Sequence, residues 1–464
     1  TDKTRKGVGM IRFDFSGVTD KLLGGRGIAV SDIEAIVPAL ACAHETIMAA
    51  RAKREILFYD LPNDNTMIEG VITLAEQLKG RFKNIVHLGI GGSSLGPKAI
   101  FQALKDPLHN ISAEPRLFFM DNVDPELMGS ILENIDPRET LFTVVSKSGG
   151  TAETAAQFMV VYDLLQRTLG KRCHDHLVLI TDPEKGILRK LAVADGIASL
   201  SIPPEVGGRF SVLTPVGLFP ACLLGIDIQA MMAGAGKMAA CVLQGDVFKN
   251  PAYLYAAVHF LALARGVNIS VLMPYSNALY DLADWYRQIW AESIGKRHSL
   301  KGKDVYAGQT PVKALGATDQ HSQVQLYVEG PFDKIVNIID VATFRKDVPI
   351  PHVFGDTDEM GYLAGKSIAG LIRAEALGTK GALIESGRMT SHISLETIDA
   401  GTLGGLFMFF EAATACMGYL LDVNPFDQPG VELGKQITFD LMGRRGYEGK
   451  FRSSSPVERM VIEL

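Results

Sequence analysis

Between residues 84 and 201 the chain repeats one unit: a short β-rich run, a turn, and a helical stretch. The runs 85–88, 116–120, 141–145, 177–181 and 197–201 all follow it. Alternation of this kind predicts a parallel sheet covered by helices on both faces, with its ligand outside the C-terminal ends of the strands. It restricts the chain to the α/β class and directs the search for chemistry to those strand ends.

Two of the strand ends have the composition of an anion cradle. Thr143-Val144-Val145 breaks into Ser146-Lys147-Ser148-Gly149-Gly150-Thr151, and a helix follows through Ala155, Ala156 and Phe158. Glycines let backbone N–H groups turn inward, the helix start adds partial positive charge, and Ser146, Ser148 and Thr151 offer hydroxyl donors. Lys147 supplies the only full charge. The second copy runs from 85–88 into Gly89-Ile90-Gly91-Gly92-Ser93-Ser94-Leu95-Gly96-Pro97 before a helix at 99–104. Ser93 or Ser94 suits its cap, and Pro97 suits its first turn. A dinucleotide fingerprint fails here, because Ser94 stands where a third glycine belongs and Asp121 lies beyond the usual acidic spacing. A nucleoside triphosphate loop also fails: Gly96 is followed by Pro97, and Lys98 arrives one place late. One such turn is compatible with a plain strand-to-helix corner; two hydroxyl-rich copies favour phosphate binding.

At 464 residues the chain fits two domains or two interleaved lobes. A net charge of -6, with no basic block interleaved with aromatics, argues against a nucleic-acid partner, so phosphate is expected on a small molecule. The five cysteines, Cys42, Cys173, Cys222, Cys241 and Cys416, form no paired motif and are expected to be reduced thiols of a cytoplasmic protein. The charged N-terminal stretch has no apolar run of the signal-peptide kind. Leu403 to Leu421 is apolar enough for a membrane span, but Glu411 and the glycines Gly404, Gly405 and Gly418 favour a helix buried inside the protein.

Along the chain, residues 1–80 read as helical after an irregular start, with Ser31 as the cap of a helix from Asp32. A proline-rich joint at 202–205 leads through Val206-Gly207-Gly208-Arg209-Phe210-Ser211 into an apolar helical tract from Pro215, and a lobe boundary is expected near 245. A second α/β lobe is then expected: strand 268–273, helix 277–294, helix 318–329, strand 333–340, helix 359–377, strands near 382–385 and 391–396, and two closing helices.

Outside the cradles, four groups stand out. In the helix 277–294, Gln288 and Glu292 lie four apart and Trp285 three before Gln288, so they share one side, the pattern also of a plain amphipathic helix. Arg209 follows two glycines, where a planar permanent cation can approach an oxyanion or serve as a structural ion-pair donor. His321 is a proton-exchanging candidate near neutral pH. Gln428 and Lys435, seven apart near the C-terminus, face one pocket if a helix begins at once. No histidine spacing of the metalloprotease type is present.

The segments GIGGSSLGP (89–97), SKSGGTAET (146–154), VGGRFSVLTPVGL (206–218), WAESIGK (290–296) and FDQPGVELGK (426–435), in this order, closely resemble the glucose-6-phosphate isomerase family, in length its shorter bacterial branch. The resemblance implies two SIS-type, flavodoxin-like lobes: a large one with 1–80 as its N-terminal helical part and 246–464 as its body, and a small one at 81–245. It implies a homodimer that interconverts glucose 6-phosphate and fructose 6-phosphate. Gly92, Ser93 and the loop Ser146, Lys147, Ser148, Gly149, Gly150 and Thr151 would hold the phosphate. Glu292 would be the base between the first two sugar carbons, and Arg209 with the Gly208 backbone would steady the enediolate. Gln288 and Gln428 would hold hydroxyls. His321, from the neighbouring subunit, and Lys435 would open the ring. No metal or redox cofactor is expected, since the guanidinium meets the intermediate's charge and the hydrogen stays in the substrate. Gly150 departs from the family's hydroxyl residue, and Thr318-Asp319 from its Asn-Gly. A sugar-phosphate-binding regulator would need the cradles but no convergence of Glu292, Arg209 and Lys435.

Overall fold

Residues 10–450 and 462 are described in the computed structural model. The predicted strands of the first half form one fully parallel five-stranded sheet in the order Arg116–Met120, Asn84–Leu88, Thr140–Val145, Leu177–Thr181, Ala198–Ser201. Its three central strands are buried at every residue, as a sheet clothed on both faces requires, and this is why they read as continuous β-branched runs.

The second five-stranded sheet runs Ile11–Asp14, Thr390–Thr397, Lys334–Thr343, Ile269–Pro274, Thr310–Lys313; only the first of these is antiparallel to its neighbour. The chain thus returns its N-terminal strand to the edge of a sheet made mostly from residues beyond 268. One apolar cluster joins the two sheets, taking Ile85, Val145 and Ile180 from one and Leu272, Ile339 and Ile393 from the other. Alternate residues such as Val86, Val144, Val271 and Ile338 point to smaller clusters on the outer faces, as the two-residue strand period demands.

The apolar tract at 403–421 is the helix Ala400–Leu420, buried in this core. It crosses the helix Ile228–Val242 backbone to backbone: a Cβ at Gly234 would stand 1.9 Å from the Gly401 carbonyl oxygen, and one at Gly404 would stand 2.0 Å from that of Met231. Glu411, fully buried within it, has its pKa pushed well up by that burial, so it sits in the core as the neutral acid.

The structure departs from the sequence reading at several points. No strand occupies 382–385, because that segment ends the helix Ile368–Glu385, whose buried Ala376, Thr379 and Leu383 recur at helical spacing. This helix starts at 368 rather than 359, where Ser367 caps it by accepting from the Gly370 N–H. Ser31 is no cap; the helix is Val30–Ala35, and Asp32 reaches back to the Ala29 N–H. Strands Ile11–Asp14, Lys296–His298, Asp304–Ala307 and Thr310–Lys313 are additions to the sequence reading, being too short to show a period.

Candidate active site

In the first sheet the chain passes from Asn84–Leu88 outward to one side, then from Thr140–Val145 outward to the other. These two adjacent strands, with Leu88 opposite Val144, flank the point where strand order reverses, the place where an open α/β sheet binds its ligand. Both glycine-rich loops leave from that point.

In the first loop, Gly91–Ser93 makes a single 3-10 turn, Gly91 adopts φ 58°, and the helix Leu95–Leu104 follows from Ser94. Beneath it lies His87, a residue not singled out from the sequence. Its Nε2 is 2.7 Å from the Ser93 carbonyl oxygen and its Nδ1 is 2.9 Å from the Thr143 hydroxyl. Burial pushes its pKa down to about 4, so the ring is neutral; the carbonyl can only accept, which puts the single ring proton on Nε2. One imidazole therefore braces both cradle strands. A histidine in an apolar run buried on both faces must find partners, and that was the available signal.

The second loop is folded on itself. Ser146 Oγ accepts from the Gly149 N–H at 3.1 Å and lies 3.3 Å from Thr151 Oγ1, while Ser148 Oγ accepts from the Gly150 N–H at 3.2 Å. Gly149 has φ 67°, a left-handed conformation glycine adopts without strain. Thr151 then precedes the helix Ala152–Leu169. Lys147 is less free than its sequence position suggests: its ammonium donates to the carbonyls of Pro204 at 2.5 Å and Val206 at 3.0 Å. Lys98 and Asp121, which other glycine-loop chemistries would need, are paired with each other at 2.8 Å.

The segment 204–209 connects everything else. Its carbonyls hold Lys147; a Cβ at Gly92 would lie 2.2 Å from the Gly208 carbonyl oxygen, so only glycine lets the two backbones meet; and Arg209 reaches the helix Tyr280–Ile294 and the turn 425–428. Arg209 is buried, and its donors fan out over two segments, that helix and that turn. Nε donates to Ser293 Oγ (2.7 Å), Nη1 to Gln428 Oε1 (2.7 Å) and Glu292 Oε2 (3.5 Å), and Nη2 to the carbonyls of Pro425 (2.5 Å) and Asp427 (3.0 Å). Burial lowers its pKa while Glu292 and Asp427 oppose that shift; a guanidinium stays charged regardless.

Glu292 and Gln288 share a face of the helix Tyr280–Ile294, Gln288 Nε2 donating to Glu292 Oε1 at 3.1 Å. Trp285 instead lies in the core against Phe407. The glutamate side chain keeps 35% exposure beside an arginine with 2%, so the carboxylate opens to a crevice whose cation is fixed behind it. A Cβ at Gly91 would lie 2.9 Å from Gln288 Nε2, which places this pair against the first cradle.

Two candidates are not brought in. Lys435 is half exposed and paired with Glu432 at 2.7 Å on the helix Glu432–Leu441, which begins after a 3-10 turn at Pro429–Val431 rather than directly from Gln428. His321 is exposed at the end of the turn Thr318–His321 and makes no hydrogen bond among the described residues. Asp319, the departure noted above, organises that turn by accepting from the Leu315 N–H (2.7 Å) and the Ser322 hydroxyl (2.6 Å). Among the described residues no three His, Cys, Asp or Glu side chains converge as a metal site.

A family model described as phosphoglucose isomerase matches residues 74–449. The glucose-6-phosphate isomerase of Carboxydothermus hydrogenoformans is 44% identical over 446 residues, covering 95% of this chain and 96% of that one. That of Rubrobacter xylanophilus is 43% identical over 429 residues, covering 91% and 96%. Of solved structures, a hypothetical protein from Thermus thermophilus superposes with a TM-score of 0.84 at 37% identity, covering 93% of this chain and 100% of that one. A glucose-6-phosphate isomerase from Chlamydia trachomatis does so with a TM-score of 0.72 at 26% identity, covering 81% and 73%.

Proposed function

The chain belongs to the phosphoglucose isomerase family, and from that premise we propose how its own residues carry the reaction. It is an aldose-ketose isomerase that interconverts glucose 6-phosphate and fructose 6-phosphate in glycolysis and gluconeogenesis. The observation that supports our assignment of roles is the contact of Glu292 with a buried, permanently charged Arg209 whose own segment abuts both phosphate cradles.

Moving a carbonyl between neighbouring carbons needs a base at the C–H bond, a fixed positive charge at the oxygen that becomes anionic, and a remote handle that holds the sugar still. Glu292 takes the proton from one carbon and returns it to the next. Arg209 and the backbone at Gly208 meet the enediolate oxygen. Ser93, Ser146, Ser148, Thr151 and the backbone at Gly92, Gly149 and Gly150 grip the phosphate, the Gly149 and Gly150 N–H groups leaving the Ser146 and Ser148 hydroxyls to do so, with Lys147 close to the loop as its cation. Gln288 and Gln428 orient hydroxyls. The protein works as a cytoplasmic homodimer in which His321 of one subunit completes the site of the other and, with Lys435, opens the ring. The exposure of both residues is what a site finished by a second subunit requires.

Replacing Glu292 by Gln removes the base and keeps the shape. Isomerisation should fall by about a thousandfold or more while fructose 6-phosphate binding, followed by calorimetry, changes little. Undiminished turnover would remove Glu292 from the mechanism. Mixing that variant with a His321→Ala variant should restore part of the activity through hybrid dimers; no recovery would place His321 within its own chain's site or outside the chemistry.

A further inference from the structure

Lys296 is the one buried ammonium at this site to which none of the steps above gives a task. It follows the end of the base helix, its side chain is 5% exposed, and it stands four residues after Glu292. Its Nζ donates to the Glu292 backbone carbonyl and to the Asp427 carbonyl at 2.7 Å, and lies 3.5 Å from Asp427 Oδ1. The turn 424–428 that it grips is the one that supplies Arg209 with the carbonyls of Pro425 and Asp427 and with Gln428 Oε1. Only Lys296 and Arg209 bridge the end of the base helix to this turn among the hydrogen bonds of the described residues, and Arg209 is the group that has to be held.

We propose that Lys296 is a positioning residue for the isomerisation: it pins the 424–428 turn to the end of the base helix and so keeps the Arg209 guanidinium and Gln428 aimed at the reacting carbons. The proposal rests on the assignment of Glu292 and Arg209 above. The charged groups that face its ammonium are Arg209 from the glycine-rich segment, Asp427 from the turn and Glu292 from the helix. Burial first, then the repulsion of Arg209, hold its pKa down to about 8, against the pull of the two carboxylates. The grip on three oxygens belongs to the protonated form, so it weakens as pH rises through that value, and turnover should fall with it.

Lys296→Met should lower kcat by tenfold to about a hundredfold with KM within a few-fold, since the cradles that bind phosphate are untouched. Lys296→Arg, which cannot lose its proton in this range, should keep part of the turnover and shift the alkaline fall of kcat to higher pH. A role in stability alone would lower the melting temperature of both variants and leave the pH profile of kcat where it was. The proposal is overturned if Lys296→Met keeps kcat within twofold of the parent, or if the alkaline limb of Lys296→Arg coincides with the parent's. Glu292→Gln separates the two readings: if it stays inactive while Lys296 proves dispensable, only the positioning role fails.

Discussion

The glycine-rich loop at 146–151, the proposed phosphate cradle, and the cluster around Arg209, the proposed clamp, are built in opposite ways. Inside the cradle the hydroxyl hydrogen bonds of Ser146 and Ser148 join residues two to five apart. Those of Arg209 join residues 83 to 219 apart, drawn from the base helix and the 424–428 turn. A local element can form its geometry from its own backbone and tolerates changes that leave the turn intact. A convergent one exists only while several distant segments keep their places, so a single lost contact is felt by all of them. Binding should therefore belong mainly to the first region and turnover to the second.

The strongest challenge to that division is removal of the clamp's centre. Arg209→Ala should cost about 3 kcal/mol of barrier, a loss of a hundredfold or more in kcat, with a much smaller change in phosphosugar affinity. A variant that loses affinity and keeps kcat would reverse the assignment. Acid asks whether the two sheets fail together. His87 braces two strands of the first sheet, and His259, bonded to Gln309 and Asn337, is its counterpart at the second sheet; burial pushes both pKa values down to about 4. Unfolded histidine binds its proton below about 6.5, whereas these two stay neutral until about 4. Stability is thus at its full value above pH 6.5 and declines as pH falls from there to 4, by on the order of 3 kcal/mol for each ring. Urea unfolding across this interval should show the decline, and replacing either histidine by Gln should flatten part of it; a flat parent curve would exclude the mechanism.

Gly92→Ala probes the seam between the regions. Its Cβ would meet the Gly208 carbonyl, so roughly 1–3 kcal/mol of stability should be lost together with turnover, because Arg209 follows directly. Wild-type kcat in that variant would show that cradle and clamp are independent. The smallest effect is expected at Gly150, where a Cβ would meet nothing within 4 Å. Gly150→Ser should change KM and melting temperature little, about 0.5 kcal/mol at most, and a larger loss would mean that the Gly150 backbone, whose N–H donates to Ser148 Oγ, is essential to the loop's grip.

Legibility followed the range of the interactions. All five strands of the first sheet can be placed from the sequence to within a residue of their ends, because a parallel sheet leaves a continuous apolar run bounded by turns. The segment 382–385 passes for a strand because its three apolar residues, Ala382, Leu383 and Ile384, fit either period when the capping Ser367 is not recognised. Gln288 and Glu292 stand out together, since i,i+4 spacing is a local fact. His87 and Lys296 do not, although each carries a faint signal: a polar residue inside a doubly buried strand, and a lysine one turn past the base at a helix end.

The sequence by itself determined the strand-loop-helix grammar and the two glycine- and hydroxyl-rich strand ends, because backbone hydrogen bonding and side-chain period act over a few residues. Only the tertiary structure decided that the N-terminal strand closes the second sheet, that Gly92 and Gly208 touch, and that Arg209, Glu292, Lys296 and Gln428 meet. Those contacts depend on packing and on burial of charge across separations that no local pattern records, which is why the loops could be read from the sequence and the meeting of these side chains could not.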